Sequence, residues 1–248
     1  MIVDSMTLRE IHRELHDDLR NLGGTLENRR ARFRSAVLKS SRYPVRRRYE
    51  CTSLGRKNRF YAMFTACRRS EHSDPTIEFY CIFDRPEGLF CALLDAGGRN
   101  TFVFPPHFFA RYRERVVGGS GMSGPDMIHH FISRLWGISL AILPDGDTSY
   151  TTWDEVFKAE KVDVMGACPD GIMFGERTED VYLLKTIVTR DMLFEDQLDD
   201  YEDLYDHYYD MIYRVYPEKV ADFIIDLEPD YYRPREEPDR TVRDENDG

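Results

Sequence analysis

Two apolar runs joined by a short link occupy residues 77–94, IEFYCIFDRPEGLFCALL. Apolar side chains alternate along the first run from Ile77 to Phe83, and this period of two is typical of a β-strand. The link at 84–88 is too short for a helical crossover, so the two strands must run in opposite directions. The stretch therefore predicts an antiparallel hairpin.

The same pattern continues on both sides of this hairpin. Alternating side chains over 60–67 and a short run at 101–104 predict neighbouring antiparallel strands. Further strands are expected at 139–143, 162–165, 171–174 and 181–188, the last two as a hairpin.

Amphipathic helices are expected at both ends of the chain. Thr7 and Glu10 have the spacing of a capping box, and leucines then recur at helical spacing until Gly23 and Gly24. A second, arginine-rich helix is predicted over 26–38, a tyrosine-rich one over 198–215 and a short one over 219–227. The fold class predicted is α+β, with a mostly antiparallel sheet flanked by N- and C-terminal amphipathic helices.

These elements are expected to form one domain over 1–228. It would consist of a helical N-terminal segment (1–42), a sheet-containing core (43–190) and an acidic helical segment (191–228). Residues 229–248 are charged and contain prolines, so a disordered tail is expected there. The five cysteines lack C-x-x-C spacing, and the N-terminus lacks a signal sequence, which favours a cytoplasmic protein without disulfides, bound metal, cofactor or membrane span.

Charge is unevenly distributed along the chain, whose net charge is −11. Residues 28–69 hold fourteen Lys or Arg and one acid, Glu50, whereas residues 191–210 hold nine acids and no Lys or Arg. Three interpretations stay open for these blocks. They can face separate partners, screen one another within the fold, or be solvated surfaces.

A candidate site begins at Pro105-Pro106, which suit a helix start. His107, Arg111, Glu114 and Arg115 would then share one helical face. An imidazole beside guanidinium groups can move a proton next to a phosphate and neutralise the charge that develops. The alternative is a surface helix with Arg-Glu pairs and His107 at its start.

Lys185 and Thr186 are the second part of this candidate site. They interrupt a strand that is otherwise apolar on both faces. Because burying a lone ammonium is costly, Lys185 must line a cleft, be paired, or extend to the rim of the sheet.

The helix His107-x-x-x-Arg111-Tyr112-x-x-Arg115, with the Lys185-Thr186 strand, resembles the active-site arrangement of metal-independent endoribonucleases of the barnase, EndoU, colicin and RelE-like superfamily. The resemblance covers about residues 99–190. It implies that His107 acts as general acid or base and that Arg111 and Arg115 bind the scissile phosphate. It also implies that Lys185 or Thr186 contacts the phosphorane.

The leading functional hypothesis is therefore a metal-independent RNA phosphodiesterase. Its substrate would be held in part by the basic run Arg46, Arg47 and Arg48. The alternative is a non-catalytic interaction protein that uses its basic block and its acidic C-terminal helix to bind a protein partner or a second copy of itself. Metal interpretations of His129-His130, and of His207 with neighbouring aspartates, are weaker because neither has a recognised ligand spacing.

Overall fold

A computed structural model describes residues 2–53, 55–95, 99–119, 121–142, 161–193 and 195–227. Within these ranges the fold is α+β, with six α-helices and one mostly antiparallel sheet of nine strands, so the predicted fold class is confirmed at this level. The helices are α1 (Leu8–Leu19), α2 (Gly23–Lys39), α3 (Pro106–Tyr112), α4 (Gly124–Arg134), α5 (Glu195–Val215) and α6 (Glu218–Ile225). The strands are β1 (Val45–Thr52), β2 (Arg59–Ala66), β3 (Thr76–Arg85), β4 (Gly88–Leu94), β5 (Thr101–Phe104), β6 (Ser139–Ile142), β7 (Val162–Cys168), β8 (Gly171–Thr178) and β9 (Val181–Val188).

The strand order is β1-β2-β3-β4-β5-β9-β8-β7-β6, so β1 and β6 are the edges of the sheet. Neighbouring strands are antiparallel except for β5 and β9, which pair in parallel over Thr101–Val103. The hairpin at 77–94 forms as expected, with Phe79 opposite Leu94 and Arg85 opposite Gly88.

The edge strand β1 is absent from the sequence prediction. Its three consecutive arginines, Arg46, Arg47 and Arg48, hide the apolar alternation because only Val45 and Cys51 are buried along it. Charged side chains are common on edge strands, where they discourage pairing with another chain. The arginine-rich composition of β1 thus obscured a strand that pairs with β2.

Helices cover both faces of the sheet. On one face α3 and α4 bury Phe108, Phe131 and their neighbours against β3, β4, β5 and β9. On the other face α1 and α2 bury Leu15 and Phe33 against β1 to β5. Strand β9 shows the alternation directly, since Leu184 belongs to the α3 cluster and Leu183 packs with the α1 cluster.

Helices α5 and α6 form a third cluster over β7 and β8. Met165 and Ile172 face this cluster, whereas Val164 and Met173 face the α3 cluster. The acidic helix α5 therefore lies on the face of the sheet opposite α3 and α4. In the strand order it lies at the β6 end, where it contacts β6 and β7.

Two predicted helix ends differ in the structure. Gly23 and Gly24 begin α2 instead of ending a long α1, because glycine permits a left-handed turn but does not require one. The helix predicted to start at Pro105-Pro106 is α-helical only to Tyr112 and continues as a π-helical turn over Arg113–Val117. Gly118, with φ of 73°, ends it.

A β-bulge between β8 and β9 decides where Lys185 lies. Gly175 is opposite Leu184 and Phe174 is opposite Thr186, so Lys185 is the extra, unpaired residue of β9. A side chain at Gly175 would place its Cβ 2.0 Å from the Leu183 carbonyl oxygen, and only glycine fits there.

In the described parts of the chain, no helix has the length and apolar composition needed to cross a membrane. The predicted tail at 229–248 and the end of the strand expected at Leu143 lie outside the described residues.

Candidate functional site

The candidate residues of α3 lie at its exposed surface. His107 is exposed in the first turn and forms no hydrogen bond or ion pair with another described residue. Arg111 forms an ion pair with Glu114, with Nη1 2.9 Å from Oε2, and both side chains are more than half exposed. The Arg-Glu pair expected for a surface helix is thus present. His107 forms no hydrogen bond or ion pair with Arg111 or Glu114.

Arg115 meets the end of β9. Its Nη1 donates to the carbonyl oxygen of Ile187 at 2.6 Å, and the hydroxyl oxygen of Thr186 lies 3.4 Å away. Ile187 lies beyond the three residues of β9 that pair with β5. The guanidinium therefore satisfies a strand carbonyl, and it joins two of the predicted site residues across 71 residues of sequence.

Lys185 lies apart from this contact. Its ammonium is paired with Glu176, which also accepts from Lys161 at 2.9 Å. Glu176 lines a cavity of about 220 Å³ beside Leu183 and the start of α1. Because α1 and α3 lie on opposite faces of the sheet, the structure does not bring the ammonium of Lys185 to His107 or Arg111.

The three arginines of β1 have different environments. Arg46 is half-buried, with Nη2 2.7 Å from Glu78 and its guanidinium 4.4 Å from the centre of the Trp136 ring. Arg47 and Arg48 are exposed and form no ion pair with a described residue. Only these two remain open to a ligand.

Arg47 belongs to a basic surface formed with α2, which packs against β1. Burial raises the pKa of the Tyr49 hydroxyl, and the charges of Arg47, Arg32 and Arg29 act in the opposite direction. The charges of three guanidinium groups therefore act on one phenol. We call these four residues the α2–β1 surface; a groove of about 530 Å³ beside it is lined by Arg29, Arg32 and other α2 residues.

Most cations of the basic block are uncompensated. Of the fourteen in residues 28–69, ion pairs with described residues are formed by Arg46, Arg56, Arg59 and Arg68. The others are Arg29, Arg30, Arg32, Arg34, Lys39, Arg42, Arg47, Arg48, Lys57 and Arg69. In α5, Glu202 forms an ion pair with Arg190, which lies outside the basic block.

Sequence analysis missed the roles of two neighbouring histidines on α4. The Nδ1 of His129 lies 2.9 Å from the hydroxyl of Tyr80, and the Nδ1 of His130 lies 3.2 Å from that of Tyr112. Each ring thus satisfies a different tyrosine. Their position on an otherwise apolar helix was the available signal, since a polar group on such a face requires a hydrogen-bonding partner.

Asp170, in the turn between β7 and β8, completes a second network around Tyr112. Its Oδ2 accepts from the Tyr112 hydroxyl at 2.6 Å, and its Oδ1 accepts from Nε of Arg134 at 2.7 Å. Asp170 is 2% exposed. Burial of the Tyr112 hydroxyl raises its pKa, and the neighbouring charge of Asp170 raises it further. The network fixes the β7–β8 turn to α3 and α4.

The residues that the structure describes include no group of three or more His, Cys, Asp or Glu arranged to hold a metal ion. His207, considered with its neighbouring aspartates, uses Nδ1 to contact the Asp203 carbonyl oxygen at 2.6 Å.

A scan against protein-family models, a search of curated proteins and a search of solved structures each found no match to this chain. Its function is therefore inferred from its own side-chain contacts and charges.

Proposed function

We propose that this protein binds RNA through the α2–β1 surface, by contacts to phosphate groups. One observation carries the proposal: the charges of Arg29, Arg32 and Arg47 all act on the Tyr49 hydroxyl, and none of the three has an ion pair with a described residue. Guanidinium groups match the geometry of phosphate oxygens and hold their charge at any physiological pH.

The charge distribution supports the same proposal. Lysines and arginines that neutralise phosphates release bound counterions, and this release drives nucleic-acid binding even when the protein is acidic overall. The basic surface lies at the β1 edge, while the acidic α5 contacts β6 and β7 at the other end of the strand order. Repulsion by α5 would confine an RNA strand to the β1 edge.

The proposal is tested by measuring fluorescence anisotropy of a labelled single-stranded RNA. In one variant Arg29, Arg32 and Arg47 are all changed to Gln. In its control Arg99, Arg214 and Lys219, which are exposed and lie outside α2 and β1, are changed to Gln, so that net charge changes equally.

We expect the α2–β1 variant to bind roughly tenfold or more weakly and the control to bind nearly as well as the original protein. Oligonucleotides of unrelated sequence should bind alike, because phosphate contacts carry no sequence information. Equal weakening in the two variants, or no binding by the original protein, would refute the proposal.

RNA cleavage at the contact between α3 and β9 is a second candidate function. The observation that favours it is the meeting of Arg115 and Thr186, two residues that the endoribonuclease resemblance assigns to one site. In this candidate His107 moves the proton and Arg111 stabilises the phosphate charge. Lys185 has no part in it, because its ammonium pairs with Glu176 on the other face of the sheet.

A further inference from the structure

A second group of open polar atoms lies on the opposite face of β1 from the α2–β1 surface. The guanidinium of Arg48 lies 5.9 Å from the centre of the Tyr61 ring, and that ring stacks on Tyr80 at 5.2 Å. His129 contacts the Tyr61 ring edge-on at 4.7 Å and is bonded to the Tyr80 hydroxyl. An arginine, two phenols and an imidazole thus meet where α4 crosses the sheet.

The charge of Arg48 is not neutralised within the described residues. Arg46 lies two positions earlier on the same face, and its charge is neutralised. Its guanidinium is bound to Glu78 and to two main-chain carbonyl oxygens. The acid that acts on His129 is Asp126, which is already bonded to the Ser123 hydroxyl at 2.6 Å. The group therefore has a cation that lacks an anion.

His129 has one ring nitrogen available. Nδ1 contacts the Tyr80 hydroxyl, and Nε2 has no hydrogen-bond partner among the described residues. When Nδ1 accepts the hydroxyl proton, Nε2 carries the N–H and is a donor. Burial and, to a lesser extent, the nearby charge of Arg48 lower the pKa of His129 to about 4, so the ring is neutral at physiological pH.

We propose that the guanidinium of Arg48 and Nε2 of His129 together bind a phosphoryl anion. Arg48 supplies the charge, His129 supplies a directed N–H, and the Tyr61 and Tyr80 rings hold both groups in place. The phosphoryl group can belong to a free phosphate ion or to a phosphodiester. This site goes beyond the proposed RNA surface, because it lies on the other face of β1 and does not use α2.

The test follows the histidine ring signals by NMR while inorganic phosphate is added. The chain has seven histidines, and the signal of His129 is identified by its absence in the His129→Asn variant. Bound phosphate should shift the His129 signal saturably and move its titration to higher pH, because a neighbouring anion favours the imidazolium. A parallel titration with a dinucleoside monophosphate shows whether a phosphodiester is accepted as well.

Arg48→Gln and Arg47→Gln form a matched pair of variants. They remove the same charge from adjacent exposed positions of one strand, but only Arg48 lies on the His129 face. We expect Arg48→Gln to weaken the phosphate response at least tenfold and Arg47→Gln to preserve it, with both proteins folded by their NMR spectra.

Absence of a His129 shift with both probes in the original protein would overturn the site, and so would equal losses in the two variants. Response to only one probe supports the site and identifies which kind of phosphoryl group it takes. Since inorganic phosphate does not require the α2–β1 surface, this test can succeed where RNA binding fails, and the reverse also holds.

Discussion

The Nη2 atom of Arg46 lies 2.8 Å from the carbonyl oxygen of Leu135. Arg46 belongs to the edge strand β1, and Leu135 begins the segment that leads into the other edge strand, β6. The same guanidinium binds Glu78 and donates to the Ser133 carbonyl oxygen at 2.9 Å. One side chain therefore holds the edge strand β1 to the end of α4.

Replacing Arg46 by Ala should lower the free energy of unfolding by about 3 kcal/mol, because Glu78 and two carbonyl oxygens lose a half-buried partner. Chemical denaturation measures the loss. Arg47→Ala is the matched control and should change stability by less than about 0.5 kcal/mol, as exposed substitutions usually do. Equal losses of stability in the Arg46→Ala and Arg47→Ala variants would show that Arg46 does not hold β1 to the end of α4.

The Asp170 network should also contribute to stability. Asp170→Asn removes the charge that faces Arg134 and should cost about 3 kcal/mol, since it leaves a half-buried guanidinium without its anion. Tyr112→Phe removes the hydrogen bonds of the hydroxyl with Asp170 and His130 and should cost about 2 kcal/mol. A double-mutant cycle measured by urea unfolding should give a coupling energy above zero, and strict additivity would contradict the network.

Stability should fall in mild acid because two histidines of α1 share one hydroxyl. The Nδ1 of His12 lies 2.8 Å and the Nε2 of His16 lies 3.1 Å from the hydroxyl oxygen of Thr101. Since one hydroxyl has one proton, the ring that accepts this proton must be neutral, and the other ring donates to the hydroxyl oxygen. Burial lowers the pKa of both, although Asp180 and other acids partly offset this for His12.

A pKa that is lower in the folded protein than the unfolded value of about 6.5 means that the unfolded chain binds more protons in acid. The stabilisation is complete above pH 6.5 and is lost as pH falls below it. Urea unfolding at pH 8, 6.5 and 5 should show this decrease, and His16→Gln should make it smaller. An unchanged decrease in the variant would contradict the prediction.

RNA cleavage is tested by incubating the protein with structured RNA in EDTA. If the second candidate function is right, cleavage occurs without metal, and His107→Ala and Arg111→Ala each abolish it. Both positions are exposed, so folding of the variants is expected to be retained. Cleavage that survives both substitutions, or that requires a divalent metal, would exclude this site.

Regular elements were predictable where the spacing of apolar residues was clear. The hairpin at 77–94 follows from it, but β1 does not because its arginines mask two buried positions. Local sequence also could not show the π-helical turn that follows Tyr112, since it depends on how the helix end meets β9.

The candidate site was only partly predictable because it depends on register. The sequence left a cleft, an ion pair and the rim of the sheet open for Lys185, and its partner in the structure, Glu176, lies in the same hairpin. The predicted strands 171–174 and 181–188 are joined by six residues that include Glu176. A link this short places Glu176 near Lys185 and could have indicated it as the partner. The surroundings of Arg47 and Arg48 depend on packing against α2 and α4, which spacing along the chain does not reveal.

The most direct test of RNA binding by the α2–β1 surface is the dependence of RNA affinity on salt. For single-stranded RNA each neutralised phosphate contributes about 0.7 to the slope of log affinity against log salt. Changing Arg29, Arg32 and Arg47 together to Gln should therefore make the slope shallower by about 2, while the Arg99, Arg214 and Lys219 variant keeps the original slope. An unchanged slope in the first variant would contradict the proposal that these three arginines bind RNA phosphates.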